Sequence, residues 1–225
     1  MTPQHVMMLF QLIAFLFAIS IHESAHAWTA NRCGDPTARM LGRVTLNPIK
    51  HIDPVGTILL PAVALFTGLP VLGWAKPTPV NPRNFKNPVA DDILTSVAGP
   101  ISNFMVAAIC VVLMGAVALT SRLGHETVQG IARGFLTNDS ALVPLCLMLY
   151  ALLEINVLLA VFNLIPVPPL DGSHVLRHFL SGTVLQAYDM VGTFGLIALV
   201  FFGGRFLAAI IDPFLGFFNF LITRF

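Results

Sequence analysis

The chain has 225 residues, of which 56% are hydrophobic and 10% charged, with a formal net charge of +1 and a mean hydropathy of +0.82. A soluble domain carries roughly a quarter charged residues and under half apolar ones, so this balance excludes an ordinary soluble globule and indicates a chain that lives in a bilayer. A net charge so close to zero gives no basic footprint for nucleic acid. Cys33, Cys110 and Cys146 have no Cys-x-x-Cys spacing, which argues against a disulfide frame and against a thiolate metal site.

Taken in chain order, the first apolar run is Val6 to Ala30. No Lys or Arg precedes it and no small-x-small cleavage pattern follows at Trp28 to Cys33, so it is expected to be a retained helix rather than a signal peptide. A spanning helix needs about 20 mostly apolar residues. Val89 to Thr120, Ala141 to Phe162 and Val191 to Phe225 also satisfy that, the last making two passes if Gly203-Gly204-Arg205 breaks it. Val55 to Leu72 is shorter and interrupted by Gly56, Pro61, Gly68 and Pro70, which predicts a re-entrant segment. Residues Gly73 to Pro88, with prolines at 77, 79, 82 and 88, predict an extended loop or short hairpin at the membrane surface. Ser173 to Tyr188 mixes apolar residues with His174, Arg177 and His178 and is expected to lie along the interface. The expected fold is all-α: a polytopic membrane helix bundle with a re-entrant segment and a Pro-rich surface loop. It forms one domain over 1–225, with a core at 6–172, an interfacial segment at 173–188 and one or two helices at 189–225.

Near the end of the first run stands His22-Glu23-Ser24-Ala25-His26, an H-E-x-x-H motif. Histidines four apart on a helix point the same way, so both imidazoles can reach one zinc ion, and the intervening Glu can act as general base. Ionisable groups at a membrane-embedded helical position are costly, about 2.5–3.5 kcal/mol each on insertion scales. Three within five residues of an apolar run therefore point to a site. A hydrolytic zinc takes three protein ligands and keeps one position for water. Asp171 ranks first as the third ligand, because it follows the helix ending at Phe162 on a stretch that prolines 166, 168 and 169 are expected to hold extended. His174 with His178, His51, and Glu154 or Asn156 remain as alternatives, each with an ordinary structural explanation.

The combination of H-E-x-x-H with a later Asn163-x-x-Pro166-x-x-x-x-Asp171-Gly172 resembles the site-2 protease family of intramembrane zinc metallopeptidases. Gly73-Trp-Ala-Lys-Pro-Thr-Pro-Val80 is similar to that family's Pro-rich membrane-surface loop, and Gly99-Pro-Ile-Ser-Asn103 to its G-P-x-x-N segment. The resemblance implies one zinc ion per chain on His22, His26 and Asp171, with Glu23 as catalytic base. It further implies a substrate-orienting or oxyanion-assisting Asn163 and an Asn103 that supports the site or packs beside it. The implied activity is endopeptidase cleavage in or near transmembrane segments of single-pass membrane proteins. No PDZ-sized or other regulatory domain is found in the sequence, so roles that depend on one are not expected.

Topology and charge can be tested against one another. For Asp171 to share a depth with the end of the first helix, an even number of crossings must separate them, which again asks 55–72 to dip and return. One face then carries Arg32, Arg39, Arg43, Lys50, Lys76, Arg83, Lys86 and Arg177, while the opposite loop carries only Arg122 and Arg133. The positive-inside rule assigns the first face, and the site with it, to the cytoplasmic side of a bacterial or archaeal cell membrane. A competing class is a membrane zinc or ion carrier using the same His and Asp residues. Glu23 favours hydrolysis, since a transport site gains nothing from a general base.

Overall fold

The computed structural model describes residues 3–60, 63, 73–135 and 140–225. It is all-helical among the described residues, and four helices there are long and apolar enough to cross a membrane. In chain order the helices are α1 (Pro3–Cys33), α2 (Thr37–Met40), α3 (Pro88–Thr120), α4 (Arg122–Ala132), α5 (Val143–Asn163), α6 (Asp171–Arg177), α7 (Gly182–Phe202) and α8 (Gly204–Ile222), with short 3-10 turns at Pro48–Lys50 and Pro82–Asn84. The four of membrane length are α1, α3, α5 and α8. Of the stretch expected to be re-entrant, Pro54–Leu59 winds as a wide turn capped by the Asp53 carboxylate, which accepts from the backbone N–H of Val55 and Gly56. Most of the remainder, on which that expectation rests, lies outside the described residues.

Two compact units divide the chain, one of Leu16–Ser102 and one of Met1–Phe15 with Asn103–Phe225. In the second, α3 contributes Ala107, Cys110, Val111, Met114 and Ala118 to the core, a spacing of three and four that keeps one helical stripe inward. Cys146, Leu149, Leu153, Val157 and Val161 of α5 form the matching stripe, completed by Val128 and Ile131 of α4 and by Ile211, Phe218 and Ile222 of α8. Lipid is as apolar as these side chains, so association here rests on close packing and buried polar contacts. Small residues allow the close approach: a Cβ on Gly115 would meet the Phe225 ring at 2.7 Å. Asn103 and Asn156, both fully buried, join α3 to α5 through an Nδ2–H to Oδ1 hydrogen bond of 2.7 Å. Elsewhere on α3, Met105, Ile109, Val112 and Leu119 are exposed, as a lipid-facing stripe requires.

The structure refines the boundaries read from sequence. Residues 191–225 hold a break at Gly203, between α7 and α8. Within 173–188 the chain is not one continuous helix: α6 ends at Arg177, Gly182 takes a left-handed φ of +57° to turn the chain, and α7 takes up the rest. Arg177 closes that turn with a 2.9 Å ion pair to Asp189.

In the Leu16–Ser102 unit, loops pack against the end of α1 and the start of α3 around buried polar anchors. Asp35, with no exposed surface, accepts from the backbone N–H of Thr37 and Asn81, from the Thr37 hydroxyl and from Asn84 Nδ2. Residues 73–81 form no helix or strand, in keeping with their prolines, and Trp74 lies so close over Gly56 that a Cβ there would meet its ring at 2.5 Å.

Candidate metal centre

His22 and His26 sit one helical turn apart on α1, 6% and 7% exposed, with their Nε2 atoms 3.0 Å apart. His26 Nδ1 lies 2.7 Å from the Thr95 carbonyl. A carbonyl can only accept, so Nδ1 carries the proton and Nε2 is left with its lone pair, the tautomer a metal ligand needs. Two imidazole nitrogens on one tetrahedral zinc, each at about 2.0–2.1 Å, lie about 3.3 Å apart; the observed pair is close to that.

The space in front of this pair is kept by Gly99 of α3. A Cβ at Gly99 would stand 2.4 Å from His26 Nε2 and 2.6 Å from His22 Nε2, so any side chain there would fill the place where the two nitrogens converge. Pro100 follows, fully buried inside the helix. The donor set and the vacancy that only glycine leaves both fit a zinc ion.

Glu23, between the histidines, is held by the Pro-rich loop. Its Oε2 accepts from the Thr78 backbone N–H and from the Thr78 hydroxyl, both at 2.7 Å. Ser24 donates to the Thr45 carbonyl. Arg43, 5% exposed, donates to the carbonyls of Lys50, Lys76 and Pro77, and the Lys76 N–H donates to the His51 carbonyl at 2.9 Å. His51 is thus part of the loop scaffold. Its Nε2–H donates to the Thr45 carbonyl at 2.8 Å, while burial, with the nearby Arg43 charge, pushes its pKa below the ordinary imidazole value and keeps it neutral.

Asp171 belongs to the other unit, where it is the half-buried first residue of α6. The Pro-rich stretch before it is not extended, as the sequence suggested, but folds into consecutive turns, Val167 N–H to Ile165 C=O at 2.8 Å and Leu170 N–H to Val167 C=O at 2.9 Å. Prolines have no N–H to give, so the few remaining donors close on the carbonyls nearest them. Gly172 completes the packing: a Cβ there would lie 2.2 Å from the Leu164 carbonyl oxygen. The Asp-Gly pair is thereby explained, its glycine by backbone contact. Tyr188 of α7 braces the same turns through a 3.0 Å bond to the Pro166 carbonyl.

Asn163 donates from Nδ2 to the Leu159 carbonyl of its own helix at 2.9 Å. Asn103 meets Asn156, which bonds in turn to the Leu152 carbonyl. Glu154 hydrogen-bonds Tyr150 one turn earlier. His174 and His178 are partly exposed on and just after α6. From the sequence, Gly99 and Thr78 stand within motifs without a task of their own, Arg43 counts only as one of the basic loop charges, and Thr95 and Asp35 carry no signal. For Gly99 the signal was a glycine placed inside a spanning helix, where a close approach is the usual reason.

Membrane-length helices carrying two converging imidazoles with a glutamate between them define a metalloprotease built into the bilayer. The chain belongs to peptidase family M50, whose model matches residues 10–203. It is 36% identical over 194 residues to "Putative zinc metalloprotease YwhC" of Bacillus subtilis (strain 168), covering 86% of this chain and 80% of that one. It is 25% identical over 190 residues to the Rip2 protein of Mycolicibacterium smegmatis, which bears the same description, and 29% identical to Rip2 of Mycobacterium tuberculosis (strain H37Rv). In both cases the match covers 84% of this chain and 64% of the relative's length. No solved structure matches the chain. The protein is a multi-pass integral membrane zinc metalloprotease.

Proposed function

We propose that the protein is an intramembrane endopeptidase that cuts single-pass membrane proteins in or near their transmembrane segments. The observation that carries this reading is the His22–His26 pair converging at 3.0 Å on a spanning helix, in front of a glycine whose Cβ would obstruct it. His22, His26 and Asp171 would hold the zinc ion, with Glu23 as the base. Asn163 orients the substrate, while Asn103, buried and bonded to Asn156, supports the packing around the site. A zinc ion held there would supply the Lewis acidity that lowers the pKa of a water toward about 7 and polarises a scissile carbonyl. Glu23 takes the proton of the attacking water and delivers it to the leaving amine.

A helical substrate keeps its carbonyls hydrogen-bonded, so it must be unwound locally before attack. The Pro-rich run at 73–81, which forms no helix, offers an edge along which an unwound segment lies by strand addition. The site opens toward the cytoplasmic side of the cell membrane, the side to which the basic loop residues assign it. The test compares membrane fractions of cells carrying the intact chain with those carrying Glu23→Gln, which retains an oxygen in place but cannot accept the proton. Uncut single-pass fragments should accumulate in the variant while zinc stays bound. Equal fragment patterns with altered zinc flux would instead make the protein a carrier.

A further inference from the structure

We propose that Thr78 is the positioning residue of Glu23, presenting the carboxylate in one orientation by occupying Oε2 and leaving Oε1 to accept the proton. The proposal rests on the reading of Glu23 as the base. Thr78 makes both contacts across 55 residues of sequence, its N–H and its hydroxyl each 2.7 Å from Oε2. The hydroxyl oxygen is also 3.0 Å from the Glu23 backbone carbonyl, so this one side chain meets both ends of the glutamate. Glutamate has three side-chain torsions, the last of them, at the carboxylate, broad. Two donors on a single oxygen remove that freedom before substrate arrives.

The loop is built to deliver those donors. In Pro77-Thr78-Pro79 the flanking residues have no N–H, so Thr78 carries the single backbone donor of the three. Pro79 also biases Thr78 toward an extended backbone. On one side, Arg43 grips the carbonyls of Lys76 and Pro77. On the other, Asn81 N–H donates to Asp35 at 2.7 Å. Both anchors are buried charges, Arg43 at 5% and Asp35 at 0% exposure, so Thr78 is suspended between two fixed points.

The test uses the full chain, zinc-loaded and in detergent micelles. The probe is a fluorescent reporter polypeptide containing one apolar helix of about 20 residues. Thr78→Val keeps the N–H and the shape but loses the hydroxyl, and is expected to lower kcat about 10- to 100-fold, with KM and zinc content unchanged. Thr78→Ser restores the rate. Independently of turnover, amide hydrogen exchange at Thr78 should accelerate about tenfold or more in Glu23→Ala but not in Glu23→Gln, whose amide oxygen still accepts. Full activity in Thr78→Val beside an inactive Glu23→Gln overturns the role of Thr78 alone, as does Thr78 exchange unchanged in Glu23→Ala. A fully active Glu23→Gln overturns the base assignment, and the proposal with it.

Discussion

Gly99→Ala probes the candidate metal centre without replacing either histidine. The added Cβ would stand 2.4 Å from His26 Nε2 and 2.6 Å from His22 Nε2, where ordinary van der Waals contact begins at 3.4 Å, so the ring tips must withdraw by about 1 Å. The obstructing atoms are ends of side chains rather than backbone, so the chain can fold around the methyl. The cost then falls on the position of the nitrogens. His26 is pinned at Nδ1 by the Thr95 carbonyl, and turning its ring away breaks that bond, a loss of about 1 kcal/mol. Metal–ligand distances tolerate about 0.2 Å, and a displacement of about 1 Å in a reacting group can cost about 100-fold in rate. The expected result is a protein with a near-normal unfolding temperature that loses zinc to a chelator at much lower concentration than the parent and is at least about 100-fold less active. Elemental analysis of the purified protein and a chelator titration measure this directly. One zinc per chain, held with parental affinity in Gly99→Ala, would refute the reasoning that this glycine keeps the nitrogens' meeting point open.

Two further outcomes follow from buried polar anchors. Burial alone would raise the Asp35 pKa, but the hydrogen bonds it accepts from Asn81, Thr37 and Asn84 outweigh that and hold it below 3.8. A depressed carboxylate contributes stability that is present above its ordinary value and drains away as pH falls through the folded one. Asp35→Asn, which turns an N–H toward a donor, should therefore cost about 1–3 kcal/mol near neutrality and flatten the acid end of the unfolding-versus-pH curve; an unchanged curve would count against the anchor. Asn103→Ala strands the Asn156 Oδ1 in the packed interior and should destabilise by about 1–3 kcal/mol. Asn103→Leu with Asn156→Leu should recover much of the loss in thermal unfolding, and equal losses in the single and double variants would mean the amide pair is not the source.

Much of the fold was legible because a bilayer imposes a crude requirement: runs of about 20 apolar residues must become helices. The helices α1, α3 and α5 start and stop within a few residues of the apolar runs that predicted them. The last apolar run splits at the glycine pair that suggested a break. The turn at Gly182 between α6 and α7 was not legible in the segment from 173 to 188, because hydropathy carries no signal for a break among mixed polar residues. The helix α4, capped by Ser121, is too short and too polar to be found by a search for apolar runs of spanning length.

Within the site, the boundary between what could and could not be read falls at sequence separation. His22, Glu23 and His26 announce themselves because four residues are nearly one helical turn, so local geometry makes a pair of ligands out of a spacing. Periodicity cannot say that a threonine 55 residues away holds the glutamate, or that a carbonyl 69 residues away sets the tautomer of His26. Nor can it say that the glycine of a G-P-x-x-N segment stands against both imidazoles. By itself the sequence determined a membrane helical protein with the residues of a zinc hydrolase. Only the tertiary structure decided which loop grips Glu23 and which helix leaves room beside the two imidazoles, because such contacts depend on how distant segments pack and not on any local repeat.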